Sequence, residues 1–183
     1  MHSQPRTRIR KPSSAGFTLL ESIIGICVVM IGVMAMTSTS FVAHSLQESN
    51  KTRRIAGNAL QSMLDQVRSA SEVARDADAP WSVTLLDIYG ASGTPGSTFD
   101  VAGLSPVADG EPVGSLLIVT DETLADDEFG VALGMPRDLD GDGSVSNPDV
   151  SGSALLLPVI ITLRWSGEAG DRVLVHGFYV GSL

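Results

Sequence analysis

Residues 17–36 read FTLLESIIGICVVMIGVMAM, an unbroken apolar stretch with one charged side chain, Glu21, and no proline. At about 1.5 Å of helical rise per residue it matches the roughly 30 Å hydrocarbon core of a bilayer. Arg6, Arg8, Arg10 and Lys11 precede it with no acid among them, and no Lys or Arg follows until Lys51. That asymmetry predicts a cytoplasmic N-terminal flank and an exported remainder. A cleaved secretory signal fits less well, because its apolar region runs about 7 to 15 residues and does not normally carry a carboxylate near its start. A charge within a spanning segment costs about 2.5–3.5 kcal/mol on insertion scales, so Glu21 calls for a partner.

These residues carry a resemblance. A short basic leader ending in Gly16, then Phe17-Thr18-Leu19-Leu20-Glu21, then the apolar stretch, resembles the N-terminal processing motif of type IV prepilins and type II secretion pseudopilins. The resemblance implies that a prepilin peptidase cuts between Gly16 and Phe17 and methylates the new amine on Phe17, leaving the hydrophobic segment in the mature protein. It also implies a single-pass inner-membrane protein with its head outside the cytoplasm, in the periplasm or at the cell surface. Through the N-terminal helix such a subunit joins other pilin or pseudopilin subunits in a filament. Glu21 would meet the positive N-terminal amine of a neighbouring subunit, which offsets a carboxylate in apolar surroundings and sets the register between helices.

From Thr37 to Ala79 there is no proline and one glycine, Gly57. Val42, Leu46, Ala56, Leu60, Met63, Leu64, Val67, Ala70 and Ala74 recur at helical spacing, with Lys51, Arg53, Arg54, Gln61, Asp65 and Arg68 on the other face. The pattern predicts one helix from the membrane to about Arg75, and the chain divides into a leader (1–16), a membrane half (17–36), an amphipathic half (37–79) and a head (80–183). Major pilins commonly carry a proline kink that Thr37 to Ser40 lack, so the resemblance points to a minor subunit.

In the head, Trp81 to Tyr89 reads as a short strand, Ala91 to Gly96 as a loop and Gly114 to Thr120 as a buried strand. Ala154 to Trp165 and Arg172 to Val180 read as β-rich runs joined by a hairpin signal over Ser166 to Asp171. This closing hairpin is similar to that of PilV-type minor pilins. The expected fold class is α+β, pilin-like: a long N-terminal helix packed on a small antiparallel sheet.

Residues 138–149, DLDGDGSVSNPD, place carboxylates at loop positions 1, 3 and 5 (Asp138, Asp140, Asp142), Gly143 at 6, Val145 at 8 and Asp149 at 12. That is the oxygen-rich calcium-loop pattern: alternating acids converge on a hard cation, the Ser144 carbonyl donates at position 7, and Ser146 acts through water. Asp149 stands where a bidentate glutamate is usual. The segment looks like the loops of dockerins and thrombospondin-type calcium repeats, and Pro148 argues against a second flanking helix. A structural Ca2+ is the expected cofactor; the bland alternative is an acidic Gly-rich turn without metal.

Charge sets the remaining limits. The net charge is -9, and from Asp76 to Asp149 there are 15 acids against one base, Arg137. Such a surface has no use for phosphate, so no nucleic-acid partner is expected. The only cysteine, Cys27, has no partner in the chain. No nucleophile–base pattern or phosphate-cradling loop accompanies His44 or His176, so an enzyme is not expected. The readings left are a minor type IV pilin, a type II secretion minor pseudopilin, a branch in which calcium in the head is a family trait, and a membrane-anchored calcium-dependent adhesion module.

Overall fold

The computed structural model describes residues 18–168 and 170–182. Gly16, Phe17 and the leader lie outside the described residues. The architecture is α+β, two helices and an antiparallel four-stranded sheet, as the sequence led us to expect.

Helix α1 spans Leu19–Arg75, 57 residues. It starts on a Thr-x-x-Glu sequence in which Thr18 Oγ1 accepts the Glu21 amide at 3.3 Å, satisfying one of the free donors of the first turn. The chain forms two compact units, one ending at His44 and the other beginning at Ser45. In the first unit every described side chain is exposed. Among the described residues α1 is the one helix long and apolar enough to cross a membrane, and none of its most apolar window is buried. Where the apolar stretch gives way to hydroxyls, Thr37, Ser38 and Thr39 donate back to the Met34 and Ala35 carbonyls at 2.8–3.0 Å. The helix thus absorbs these polar groups itself.

In the second unit α1 buries Ala56, Met63, Leu64, Val67, Ser71 and Ala74, a stripe at helical spacing. The helix ends at Arg75, where the periodicity led us to expect, and residues 76–79 of the amphipathic segment do not continue it. The residue before a proline is disfavoured in helical geometry, so Pro80 stops propagation through Ala79, and the last turn tightens through Asp76 and Ala77 amides onto the Val73 and Ala74 carbonyls. Arg75 ties this end down by donating from Nε and Nη2 to the Gly181 carbonyl at 3.0 and 2.6 Å.

Trp81–Tyr89 is a helix, α2, which corrects the expected strand. The β-prone Trp, Val, Thr, Ile and Tyr content suggests a strand, but the buried positions Trp81, Ser82, Leu85 and Tyr89 follow a period near four, not two. Pro80 stands at the N-cap, where its missing N–H costs the helix no hydrogen bond and its carbonyl accepts the Thr84 amide at 3.1 Å. Two tertiary bonds fix the result: Trp81 Nε1 donates to the Ala154 carbonyl at 2.7 Å, and Ser82 Oγ to the Ser151 carbonyl at 2.6 Å.

The strands are β1 (Thr98–Phe99), β2 (Gly114–Ile118), β3 (Leu156–Gly167) and β4 (Gly170–Gly181), in the order β1-β2-β3-β4 with every pair antiparallel. β3 is central and pairs along its whole length with β4, Leu156 opposite Gly181 and Gly167 opposite Gly170. The main core joins Met63, Leu64, Val67 and Ala74 of α1 to Leu85, Leu116, Leu157, Val159 and Ile161. A second cluster gathers Ala56, Leu104, Val113, Leu163 and Trp165. Each fully buried Leu or Ile contributes roughly 1.5–3 kcal/mol, so the sheet face and the α1 stripe are mutually dependent.

Between β2 and β3 the chain makes two loops pinned to this scaffold. In the first, a 3-10 turn at Asp126–Glu128 places the Asp126 carboxylate to accept the Leu133, Gly134 and Met135 amides at 2.8–3.0 Å. Tyr179 Oη donates to the Leu133 carbonyl at 2.7 Å and holds the same segment onto β4. The second is the acidic loop 138–149.

Candidate metal centre

The loop is anchored at both ends by apolar burial. Leu139 and Val150 belong to the main core and are essentially inaccessible. The Leu139 carbonyl accepts the Leu155 and Leu156 amides at 2.8 and 3.0 Å, which seats the start of the loop against the start of β3. The segment leaving β2 runs along the other end: Val150 donates to the Thr120 carbonyl at 2.9 Å and Glu122 donates to the Asn147 carbonyl at 3.1 Å. No helix follows the loop; β3 begins at Leu156.

Within the loop, the carboxylates organise the backbone. Asp138 accepts the Gly141 amide at 2.6 Å and the Gly143 amide at 2.9 Å, one on each oxygen. Gly141 and Gly143 have φ of +80° and +86°, a region glycine occupies without the steric cost a Cβ would incur, and this lets both amides turn inward. The Gly143 amide bond is the leading cause that holds the Asp138 carboxyl below its ordinary value, with the other loop amides adding to it against a desolvation effect. Asp140 accepts the Asp142 amide at 3.2 Å on one oxygen, and on the other the Asn147 side-chain amide at 3.4 Å and Ser153 Oγ at 3.2 Å. These bonds orient the two carboxylates as outer partners orient ligands in metal sites.

One carboxylate oxygen each from Glu122, Asp138 and Asp140 lies within 4.8 Å of the others. Oxygens that far apart can share one ion at 2.3–2.6 Å, the calcium–oxygen distance, since diametrically opposed ligands would then be about 4.6–5.2 Å apart. The donor set is all oxygen and anionic, which suits a hard divalent cation. Among the described residues the one ion pair is Lys51–Glu48, so these three carboxylates have no basic side chain to neutralise them.

Of the residues the sequence singled out, Asp138 and Asp140 enter this cluster. The carboxylates of Asp142 and Asp149 are not in this group of three. Asp142 accepts the Ser144 amide at 2.7 Å, and the Ser144 and Ser146 hydroxyls lie 2.8 Å apart. Asp149 is exposed and caps the turn into β3 by accepting the Ser151 amide at 2.9 Å, which lowers its carboxyl value. Val145, the apolar residue at loop position 8, is 44 % exposed.

Glu122 is the member that loop spacing does not reveal. It is 0 % exposed, the one buried charged side chain among the described residues. Its Oε1 accepts the Leu139 amide at 2.5 Å and the Asp140 amide at 3.2 Å, whereas Oε2 has no partner. The only sequence signal is an acid just after a buried strand, in a run that is otherwise a solvated acidic loop. Glu21, the other predicted site residue within the described range, is exposed in the first turn of α1. His176 lies exposed on β4, stacked on Phe178 with ring centroids 6.2 Å apart. No family model matches this chain, and no curated protein or solved structure matches it significantly.

Proposed function

We propose that this chain is a structural subunit of the type IV pilin class, a minor pilin anchored in the inner membrane and assembled through its N-terminal helix into a filament or its priming complex. One observation carries the reading. The apolar residues of α1 from Leu19 through Val42 are exposed, whereas further along the same helix its apolar stripe is buried on the sheet. A surface of that size needs lipid or the equivalent helices of other subunits to cover it. The leader ending in Gly16 and the Phe17–Glu21 sequence supply the processing site that filament entry requires, with prepilin peptidase as the processing partner.

Part of this proposal is a Ca2+ ion in the head, held by Asp138 and Asp140 with further oxygen ligands. The ion would neutralise an acidic loop and fix the connection between β2 and β3. Calcium in the head is equally at home in a secretion pseudopilin, and the two systems share leader and helix. A membrane-tethered calcium-dependent adhesion module is the reading from another class; it needs the anchor but not the processing motif.

Intact-mass analysis of the protein recovered from its native membrane tests the proposal. A chain starting at Phe17 and carrying one additional methyl group is expected. A chain retaining Met1 through Gly16 would overturn the filament reading in favour of a tethered module.

A further inference from the structure

We propose that Glu122 closes the cation site from outside the loop, taking the part that a loop-terminal carboxylate plays elsewhere, and that Asp149 is not a ligand. The proposal rests on the cation reading of residues 138–149 given above.

Burial is the first ground. Removing a carboxylate from water without a counter-charge is costly, so buried charges are paired or coordinate metals. Glu122 is fully buried with Oε2 unpartnered, and its neighbours in the cluster are two more carboxylates. Oε1 is already held by the Leu139 and Asp140 amides, which fixes the group and leaves Oε2 as the open donor. A fixed carboxylate with one free oxygen beside two like charges is the kind of donor set that a hard divalent cation takes.

The second ground is what Asp149 does instead. Its carboxylate accepts the Ser151 amide, and its own amide donates to Asn147 Oδ1 at 3.2 Å. Both bonds belong to the turn that delivers the chain to β3. Glu122 is also placed to compensate, because its amide bonds the Asn147 carbonyl at the closing end of the loop while its carboxylate reaches the opening end at Leu139. The loop is therefore spanned at both ends by one residue.

A functional consequence follows from the source of the ligands. Glu122 and Leu139 are 17 positions apart, so the ligand set exists only when the exit of β2 and the approach to β3 are already side by side. Binding is then linked to folding of the head, and the ion acts as a cross-link between two chain segments. An isolated loop peptide would lack the buried ligand.

The test uses the full-length chain in detergent, as wild type, Glu122→Gln and Asp149→Asn. Each is titrated with calcium chloride by calorimetry and melted in chelator and in calcium. Wild type and Asp149→Asn are expected to bind alike. Glu122→Gln is expected to lose at least the roughly 10- to 100-fold in affinity that removal of an outer-shell partner costs. In chelator, Glu122→Gln should melt above wild type, because the amide relieves a buried unpaired charge and can donate to its carboxylate neighbours; in calcium the order should reverse. This crossover separates a ligand from a merely structural residue. Glu122→Gln melting below wild type in both conditions, or binding retained in Glu122→Gln and lost in Asp149→Asn, would overturn the proposal while leaving the cation reading standing. No calcium binding by wild type would remove both.

Discussion

Two carboxylates between β2 and β3 are worth opposite things. Glu122 is buried and incompletely satisfied, whereas Asp126 accepts three backbone amides and is a stabilising staple. The Met135 amide leads the causes that hold the Asp126 carboxyl below its ordinary value near 3.8, with the Gly134 and Leu133 amides adding to it. A lowered folded-state value means stability that is fully present above the unfolded value and lost as pH falls through the folded one. Asp126→Asn is therefore expected to lower the melting temperature at neutral pH, with the gap to wild type closing on acidification below about pH 3.8; a gap independent of pH would refute the staple. Gly143 makes a second test at this scale. At φ of +86° it holds a conformation that an L side chain occupies at a cost of about 1–2 kcal/mol, so Gly143→Ala should destabilise the head by that amount, read from denaturant midpoints.

The elements differ in how openly the sequence announces them. The α1 stripe is legible because Met63, Leu64, Val67 and Ala74 satisfy one period over several turns, and the β3–β4 hairpin is legible because two apolar runs flank a glycine-bounded turn. Helix α2 is not legible from propensity; its residues prefer strands one by one, and only the fit of Trp81, Leu85 and Tyr89 into the core decides the matter. The same limit applies to the site. Asp138 and Asp140 are visible from local spacing, but Glu122 joins them through the pairing of β2 with β3, which no local window contains. Two leucines on α1 make the contrast measurable. Leu64 is 6 % exposed and packs in the core, whereas Leu46 is 58 % exposed. Leu64→Ala should cost about 2–5 kcal/mol of head stability. Leu46→Ala should leave head stability within about 0.5 kcal/mol, as surface changes do. Equal losses would mean that the stripe does not mark where α1 meets the sheet.

At the scale of the whole molecule, one chain joins two different solvation problems. From Ala56 onward the apolar stripe of α1 is buried in the head's core, whereas the apolar side chains from Leu19 through Val42 are exposed, and on the proposed reading lipid or other copies cover them. Glu21 separates these two covers. A helix meant only for lipid gains nothing from a carboxylate in its first turn, beyond the modest benefit of a negative charge at a helix N-terminus. A helix meant for other helices gains a group that can pair with a neighbour's N-terminal amine and fix their register. On the filament reading, Glu21→Ala should still fractionate with the membrane, since it removes a charge from an apolar segment, but should be lost from sheared filaments. A tether predicts the same membrane association, unchanged or improved, but no assembly to lose, so recovery in filaments is the readout that separates the two. Normal recovery of Glu21→Ala in filaments would leave the exposed half of α1 as a membrane anchor and confine what is distinctive about this chain to its acidic head.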